Sequence, residues 1–203
     1  MQKQVQSIVK LLTVLFTFSF ICSCEKEHLE PTPPPGSTEP LVYIRANLNH
    51  DSIYLAGGKD SYVGSVSVSD LLTNRAFNFT LKNTHHPLHS YFQISINNYQ
   101  SIQGALPDDL NNTIFPGIRH YQDTGHFIPL AATVVWIDPA GIRFSSDASA
   151  QTQSFIINSV EEVIFENNHF KKALLEFDCT LSDDHGHVIH LTHGKANVLY
   201  GIQ

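Results

Sequence analysis

The chain has 203 residues, and its 12 Lys or Arg against 19 Asp or Glu give a formal net charge of −7 when histidine is neutral. A protein with a net negative charge is repelled by nucleic-acid phosphates, so we do not expect nucleic acid as a partner. The sequence contains no phosphate-binding loop, His-Glu-x-x-His or Gly-x-Ser-x-Gly motif, and we therefore expect no catalytic residues.

The first predicted element is an export leader over residues 1–23. Lys3 and Lys10 form a short positive region, and residues 11–23 are apolar or hydroxyl-bearing without a charge. Crossing a bilayer takes about twenty apolar residues, whereas this shorter run suits a signal peptide. Removal of the leader leaves 10 basic and 19 acidic residues, a net charge of −9.

The leader ends in Ile21-Cys22-Ser23-Cys24, which resembles the lipobox of bacterial lipoproteins. The resemblance implies cleavage before Cys24, attachment of diacylglycerol to its sulfur, and acylation of the new N-terminus. Two or three acyl chains hold a protein on a membrane durably, so the membrane partner would be reached through a lipid anchor. An uncleaved tethering segment is the alternative.

Residues 24–40 are predicted to form a tether between this anchor and the rest of the chain. A charged stretch from Glu25 to Glu30 precedes five prolines between Pro31 and Pro40, a composition typical of an extended, semi-rigid spacer. Acidic residues directly after the lipidated cysteine also resemble the surface-export signal of Bacteroidota lipoproteins. That resemblance implies the outer membrane, facing outward, and an ordinary solvated tether remains the alternative.

From Leu41 onward, apolar and polar residues alternate with a period of two, which predicts many short strands. Asp70–Asn74 is expected to form one helical turn or a loop. The strands of the first half are expected at Val42–Leu48, Ser52–Leu55, Tyr62–Val68, Phe77–Leu81 and Phe92–Ile96, with the last two paired as a hairpin.

Residues 97–130 are the least regular part of the chain, with a short helix expected around Ala105–Leu110. A loop region this long in a compact domain is usually functional, and we expect ligand contacts here. Tyr99 and Tyr121 flank it and are candidate stacking residues for sugar rings, because a tyrosine combines an apolar face with a polar handle. Ordinary packing of these tyrosines against loops is the alternative.

Regular alternation returns in the last third of the chain. The strand Ala132–Asp138 is apolar on both faces, which predicts that Trp136 belongs to the core. Cys179 shares one side of its strand with Leu175, Phe177 and Leu181, so we expect a buried, unreactive thiol rather than a nucleophile. The remaining strands are expected at Ile142–Ser145, Phe155–Val160, Phe170–Leu181, His187–Leu191 and Asn197–Ile202.

These patterns predict an all-β fold, with residues 41–203 forming one antiparallel β-sandwich or barrel-like domain. The runs Phe92–Tyr99, Trp136–Gly141 and Phe177–Leu181 resemble the β-domains of Bacteroidota surface lipoproteins. The resemblance covers most of residues 41–202. It implies an all-β domain at the cell surface, and it supplies no activity and no catalytic residues.

Histidine is abundant, with 12 residues, and two clusters are candidate sites for a divalent transition metal. If the last hairpin is regular, His187 and His193 share a face about 20 Å apart, too far to bind one metal. Loop histidines without a metal are the alternative. The candidate ligands are His85, His86 and His89 in one hairpin loop, and Asp183, Asp184, His185 and His187 in the last one.

A candidate modification site lies in the second strand. Asp51-Ser52-Ile53 resembles the short O-glycosylation motif of secreted Bacteroidota proteins, and the resemblance implies that Ser52 is the acceptor.

Three hypotheses for function follow. The first is a non-enzymatic, lipid-anchored surface domain that binds or scaffolds an extracellular protein or glycan. The second is a metal-binding lipoprotein that uses the loop histidines. The third is an accessory glycan-acting enzyme, which would need two carboxylates in a cleft, one with a raised pKa.

Overall fold

The structure is a computed structural model that describes residues 40–71, 74–85, 90–99, 107–122, 128–148, 151, 153–165 and 168–201. Antiparallel strands make up most of these residues, so the predicted all-β fold is confirmed. The leader, Cys24 and all of the tether except Pro40 lie outside the described residues.

The strands are β1 (Tyr43–Leu48), β2 (Asp51–Ala56), β3 (Tyr62–Leu71), β4 (Asn74–Asn83), β5 (Tyr91–Asn98), β6 (Gly117–Arg119), β7 (Ala131–Ile137), β8 (Arg143–Ser145), β9 (Phe155–Phe165), β10 (Asn168–Ser182) and β11 (Val188–Gly201). One helix, α1, spans Pro107–Thr113, and a 3-10 turn spans Ser146–Ala148.

The strands pair in the order β2-β1-β11-β10-β8-β7-β5-β4-β3, and β9 pairs with both β10 and β6. The sheet does not close within the described chain. It folds over as a sandwich in which β3, β4, β5 and β7 form one layer and β2, β1, β11, β10, β9 and β6 form the other. Contact between Phe92 on β5 and Phe177 on β10, with ring centroids 6.3 Å apart, spans the two layers.

The long strand β10 connects the layers. Its Asn168–Phe177 portion pairs with β9, and Ser182 pairs with Ser145 of β8. Between these partners, the side chain of Gln151 accepts the Thr180 N–H at 2.8 Å and donates to the Thr180 carbonyl at 2.7 Å. An amide side chain therefore takes the place of a strand partner where β9 leaves the sheet.

The core between the layers is aliphatic and aromatic. Phe155 stacks on Phe177 with centroids 5.8 Å apart, and Trp136 packs against Phe92 at 5.8 Å. Trp136 is only 7% exposed, as predicted for a core residue. The largest fully buried side chains include Tyr200, Phe77, Phe79, Phe92, Phe155, Ile44, Leu81 and Leu175.

The predicted hairpin of the first layer is confirmed. Phe77 lies opposite Ile96, Phe79 opposite Ile94 and Leu81 opposite Phe92 in the β4–β5 pairing. The expected helical turn or loop at Asp70–Asn74 is wrong at the residues described there, because β3 extends through Leu71 and β4 begins at Asn74. Leu71 and Asn74 pair directly with each other.

One arginine fixes the end of this layer against α1. The buried Arg75 donates from Nε and Nη2 to Asp70 at 2.6 and 2.9 Å, and from Nη1 to Asp109 of α1 at 2.5 Å. Its hydrogen bond and charge lower the pKa of Asp70. The short helix expected around Ala105–Leu110 lies at Pro107–Thr113. The strand β6, which pairs with β9 through Gly117–Arg119, was not predicted.

The two strands expected after residue 187 form one strand, β11. It is continuous because a β-bulge absorbs the change in its pattern: Phe177 pairs with Gly194, whereas Cys179 pairs with Leu191. Two residues of β11 therefore face one residue of β10. The bulge includes His193 at φ 54°, so the expectation that His187 and His193 share a face of a regular strand is wrong.

Candidate ligand-binding face

The outer side of the six-stranded layer carries an aromatic pair. In β1 the residues Val42, Ile44 and Ala46 are buried, so the alternate residues Tyr43 and Arg45 point away from the core. Asn49 and His50 join β1 to β2, and Asn49 has φ 54°, as expected for a tight hairpin turn.

This turn sets a register that brings the two tyrosines together. Arg45 lies opposite Tyr54 and Tyr43 lies opposite Ala56, so Tyr43 and Tyr54 are diagonal neighbours on one face. Their ring centroids are 6.1 Å apart with planes inclined by 31°. Tyr54 is 45% exposed, unlike the aromatic residues of the core.

Charged and polar side chains surround the pair. Lys59, in the loop after β2, places its Nζ 5.2 Å from the centroid of the Tyr54 ring. Arg45 lies opposite Lys195 on β11, and Lys195 lies opposite Glu176 on β10. We call Tyr43, Tyr54, Arg45, Lys59, Lys195 and Glu176 the aromatic face.

Lys195 and Glu176 form an ion pair across two strands, with Nζ and Oε1 2.9 Å apart. The hydrogen bond and charge of Lys195 lower the pKa of Glu176. Because both side chains are well exposed, this pair contributes little to stability and remains open to solvent. The aromatic face therefore offers ring surface and hydrogen-bonding groups side by side on a rigid sheet.

Sequence analysis selected different tyrosines, and the structure corrects one of them. Tyr121 is only 4% exposed, its ring meets Phe155 edge-on at 6.0 Å, and its hydroxyl donates to the Asp178 carbonyl at 2.8 Å. Burial raises its pKa well above the usual range. The prediction of an exposed stacking residue is therefore wrong for Tyr121.

Tyr99 is half-buried at the end of β5, and burial and the nearby Asp147 raise its pKa. It does not adjoin Tyr121 in a shared exposed surface, since Tyr121 is buried. A stacking role for Tyr99 remains a prediction.

The signal that could have found the correct pair is the short spacing between the first two strands. If Asn49 and His50 form a two-residue turn, simple counting places Arg45 opposite Tyr54 and Tyr43 two residues away on the same face. Alternation with Val42 and Ile44 marks Tyr43 as outward, but Tyr43 was missed because the search for ligand contacts concentrated on the irregular residues 97–130.

The second predicted metal cluster lies on the turn between β10 and β11, and its members have different roles. Asp183 is buried, and its Oδ1 accepts the backbone N–H groups of His185 at 2.9 Å and His187 at 2.7 Å. Its Oδ2 lies 2.6 Å from Nδ1 of His187. Burial opposes ionisation, but these hydrogen bonds outweigh it and lower the pKa of Asp183.

His187 is thus held by its Nδ1 while most of its ring is in solvent, and the His185 ring centroid lies 6.3 Å away. Asp184 is exposed on the same turn. Within the described ranges, no three His, Cys, Asp or Glu side chains lie close enough to hold a metal ion. Of the first cluster, His85 is exposed, and His86 and His89 lie outside the described residues.

Cys179 is a buried free thiol, as predicted. Burial raises its pKa to about 12, the opposite of what a nucleophile needs. Ser52 is exposed on β2, and its Oγ donates to Asn47 Oδ1 at 2.7 Å. Its glycosylation stays a prediction.

None of the helical segments in the described ranges has the length and hydropathy that crossing a membrane requires. Comparison with known proteins finds no family model, curated protein or solved structure that matches this chain. The function must therefore be argued from the chain itself.

Proposed function

We propose that this protein is a non-enzymatic binding module, lipid-anchored to the bacterial outer membrane through Cys24, that binds a glycan on its aromatic face. The observation that carries the proposal is the Tyr43–Tyr54 pair, with ring centroids 6.1 Å apart on the outside of a sheet. A tyrosine pair in which one ring is exposed and the other half-buried, with charged groups on the neighbouring strands, offers a surface on which a ligand can stack.

A glycan suits this surface for chemical reasons. Each sugar ring has an apolar C–H face that packs on an aromatic ring, and a rim of hydroxyl groups that needs hydrogen-bonding partners. Tyr54 and Tyr43 supply the rings, while Arg45, Lys195 and Glu176 supply donors and acceptors on β1, β11 and β10, which follow β2 in the sheet at intervals of about 4.8 Å.

The sheet also fixes the backbone that carries Tyr43 and Arg45 before any ligand binds. Tyr43 and Arg45 are carried by β1, which is hydrogen-bonded to β2 on one side and β11 on the other. Binding then does not have to order the backbone, which lowers its entropic cost.

The binding test compares tyrosine variants of the full-length protein, purified in detergent, on immobilised polysaccharides. We expect Tyr54→Ala and Tyr43→Ala to weaken binding by at least about fivefold, because loss of one stacking ring removes about 1–3 kcal/mol. Tyr91→Ala is the matched control, since Tyr91 is a partly exposed tyrosine on β5 in the other layer. Equal binding by all three variants and the wild type would contradict the proposal.

The anchor needs a separate test, because Cys24 lies outside the described residues. We expect Cys24→Ser to be unacylated and released from membranes, while Cys22→Ser keeps its lipid. A Cys24→Ser protein that still carries lipid would rule out this attachment.

A second candidate function, metal binding, is favoured by the arrangement of Asp183 and His187. A carboxylate on Nδ1 is the usual way in which a protein orients a metal-binding imidazole, and His185 is adjacent. Binding to the native state at about 100 times Kd would stabilise the protein by about 2.7 kcal/mol. We therefore expect Zn2+, Cu2+ or Ni2+ to raise the Tm if this function is correct, and no shift with any of them would exclude it.

A further inference from the structure

The aromatic face carries positive charge on a protein that is otherwise acidic. The chain has only 12 Lys or Arg, and most of those on the six-stranded layer form ion pairs with acidic side chains. Lys171 pairs with Glu162 at 3.1 Å and Lys172 with Glu161 at 3.7 Å. Lys195 pairs with Glu176 at 2.9 Å.

Arg45 and Lys59 differ from these lysines. Neither forms an ion pair with any residue that the structure describes, and both adjoin Tyr54. Arg45 lies directly opposite Tyr54 in the β1–β2 register, beside the cation Lys195. Lys59 lies over the Tyr54 ring itself.

We propose that the ligand of the aromatic face is an anionic polysaccharide, an inference that rests on the proposed function. An anionic group close to Tyr54 would be met by the Arg45 guanidinium, which binds carboxylate or sulfate with two parallel hydrogen bonds. The same group compensates the charge of Arg45, which no acidic side chain among the described residues neutralises.

Lys59 adds a second argument for an anion. Its ammonium group is attracted to the face of the Tyr54 ring, so a sugar that stacks there has to move it away. A neutral sugar offers the displaced ammonium hydroxyl oxygens but no opposite charge. A sugar that carries an acidic group supplies that charge, and exchanges a weak cation–π contact for an ion pair.

Single-stranded nucleic acid is the other polymer that combines anionic charge with stacking. The net charge of −7 does not separate the two polymers, because it opposes the approach of any polyanion. The cell-surface location in the proposed function favours the polysaccharide, and nucleic acid is an arm of the test.

The experiment measures binding of the full-length protein to immobilised polygalacturonate, chondroitin sulfate, carboxyl-reduced polygalacturonate, dextran and oligo-dT. We expect binding to one or both acidic polysaccharides, weakened at least about tenfold in the double variant Arg45→Gln, Lys59→Gln. The double variant Lys171→Gln, Lys172→Gln makes the same change in net charge at paired lysines and should bind within about twofold of wild type. Raising the salt from about 0.1 M to about 1 M, which shortens the Debye length from about 10 Å to about 3 Å, should weaken binding as well.

The outcomes separate this inference from the proposed function. Preference for polygalacturonate identifies the anion as a carboxylate, and preference for chondroitin sulfate shows that a sulfate contributes. Binding to the neutral polysaccharides that is lost in Tyr54→Ala but unchanged in Arg45→Gln, Lys59→Gln would overturn the anionic ligand and leave the proposed function intact. Stronger binding to oligo-dT than to every polysaccharide, or no binding to any probe, would overturn both.

Discussion

Asp178 Oδ1 accepts the backbone N–H of His193 at 2.5 Å, at the point where β10 and β11 change register. The bond holds Thr192 and His193 of β11 opposite the single residue Asp178. As a result, Leu191 faces the core before the bulge, and Gly194 is buried after it. Asp178 thus stabilises the bulge. The bulge lets β11 continue as one strand whose apolar residues face the core on both sides of the change in register.

The bulge predicts a low tolerance for a side chain at Gly194. A Cβ atom there would lie 2.4 Å from the Phe177 carbonyl oxygen and 2.8 Å from the Phe177 ring. Because a backbone oxygen cannot move aside cheaply, we expect Gly194→Ala to lower the free energy of unfolding by about 1–3 kcal/mol. Urea denaturation with an unchanged m value would measure this loss.

The neighbouring residue provides the control. His193 has φ 54°, a conformation that glycine adopts without strain, so His193→Gly should retain the stability of the wild type within about 1 kcal/mol. Comparable losses in His193→Gly and Gly194→Ala would show that the bulge geometry is not the cause.

Two buried tyrosine hydroxyls predict opposite effects of the same substitution. Tyr200 is fully buried, and its hydroxyl has no hydrogen-bond partner among the residues that the structure describes. Tyr200→Phe should therefore raise the free energy of unfolding by about 1 kcal/mol, because it removes an unsatisfied polar group. Tyr121→Phe should lower it by about 1 kcal/mol, since the Tyr121 hydroxyl donates to the Asp178 carbonyl. Thermal and urea unfolding of the two variants test the signs, and a Tyr200→Phe protein less stable than the wild type would contradict the assignment.

The contrast between Tyr43 and Tyr121 shows which parts of the site sequence alone can predict. The outward direction of Tyr43 follows from local alternation with Val42 and Ile44, and its contact with Tyr54 follows from one short turn. The burial of Tyr121 depends on Asp178, 57 residues later in the chain, and no local pattern reports it. The faces of β11 were unpredictable for a similar reason, because the bulge at His193 reverses the alternation that the strand began with.

The buried thiol of Cys179 predicts how the protein responds to thiol reagents. Burial raises its pKa to about 12, so at about pH 8 only about one molecule in ten thousand carries the thiolate. If Cys24 is acylated and the leader removed, we expect no labelling by DTNB in the native protein and one thiol after unfolding. Cys179→Ala should then show none in either state. Rapid labelling of native Cys179 would contradict its burial, whereas a second thiol in the unfolded protein would contradict acylation of Cys24.

The turn between β10 and β11 predicts a pH-dependent contribution to stability. The Asp183 carboxylate accepts hydrogen bonds from two backbone N–H groups and from the His187 imidazole. These bonds hold the pKa of Asp183 below the ordinary value despite burial. Because the pKa is lower in the folded than in the unfolded protein, the stabilisation is complete above the unfolded pKa of about 3.9. It is lost as the pH falls through the folded pKa, where the carboxylate becomes protonated.

Asp183→Asn should accordingly have a lower urea midpoint than the wild type at about pH 7, and the difference should shrink steadily below about pH 4. Asp184→Asn is the matched control, because Asp184 is the exposed neighbour on the same turn. Its midpoint should follow that of the wild type at every pH. Only a contribution that depends on ionisation disappears when the carboxylate is protonated. If the urea midpoints of Asp183→Asn and the wild type differ by the same amount at about pH 7 and about pH 3, the hydrogen bonds to the ionised carboxylate do not stabilise the folded turn.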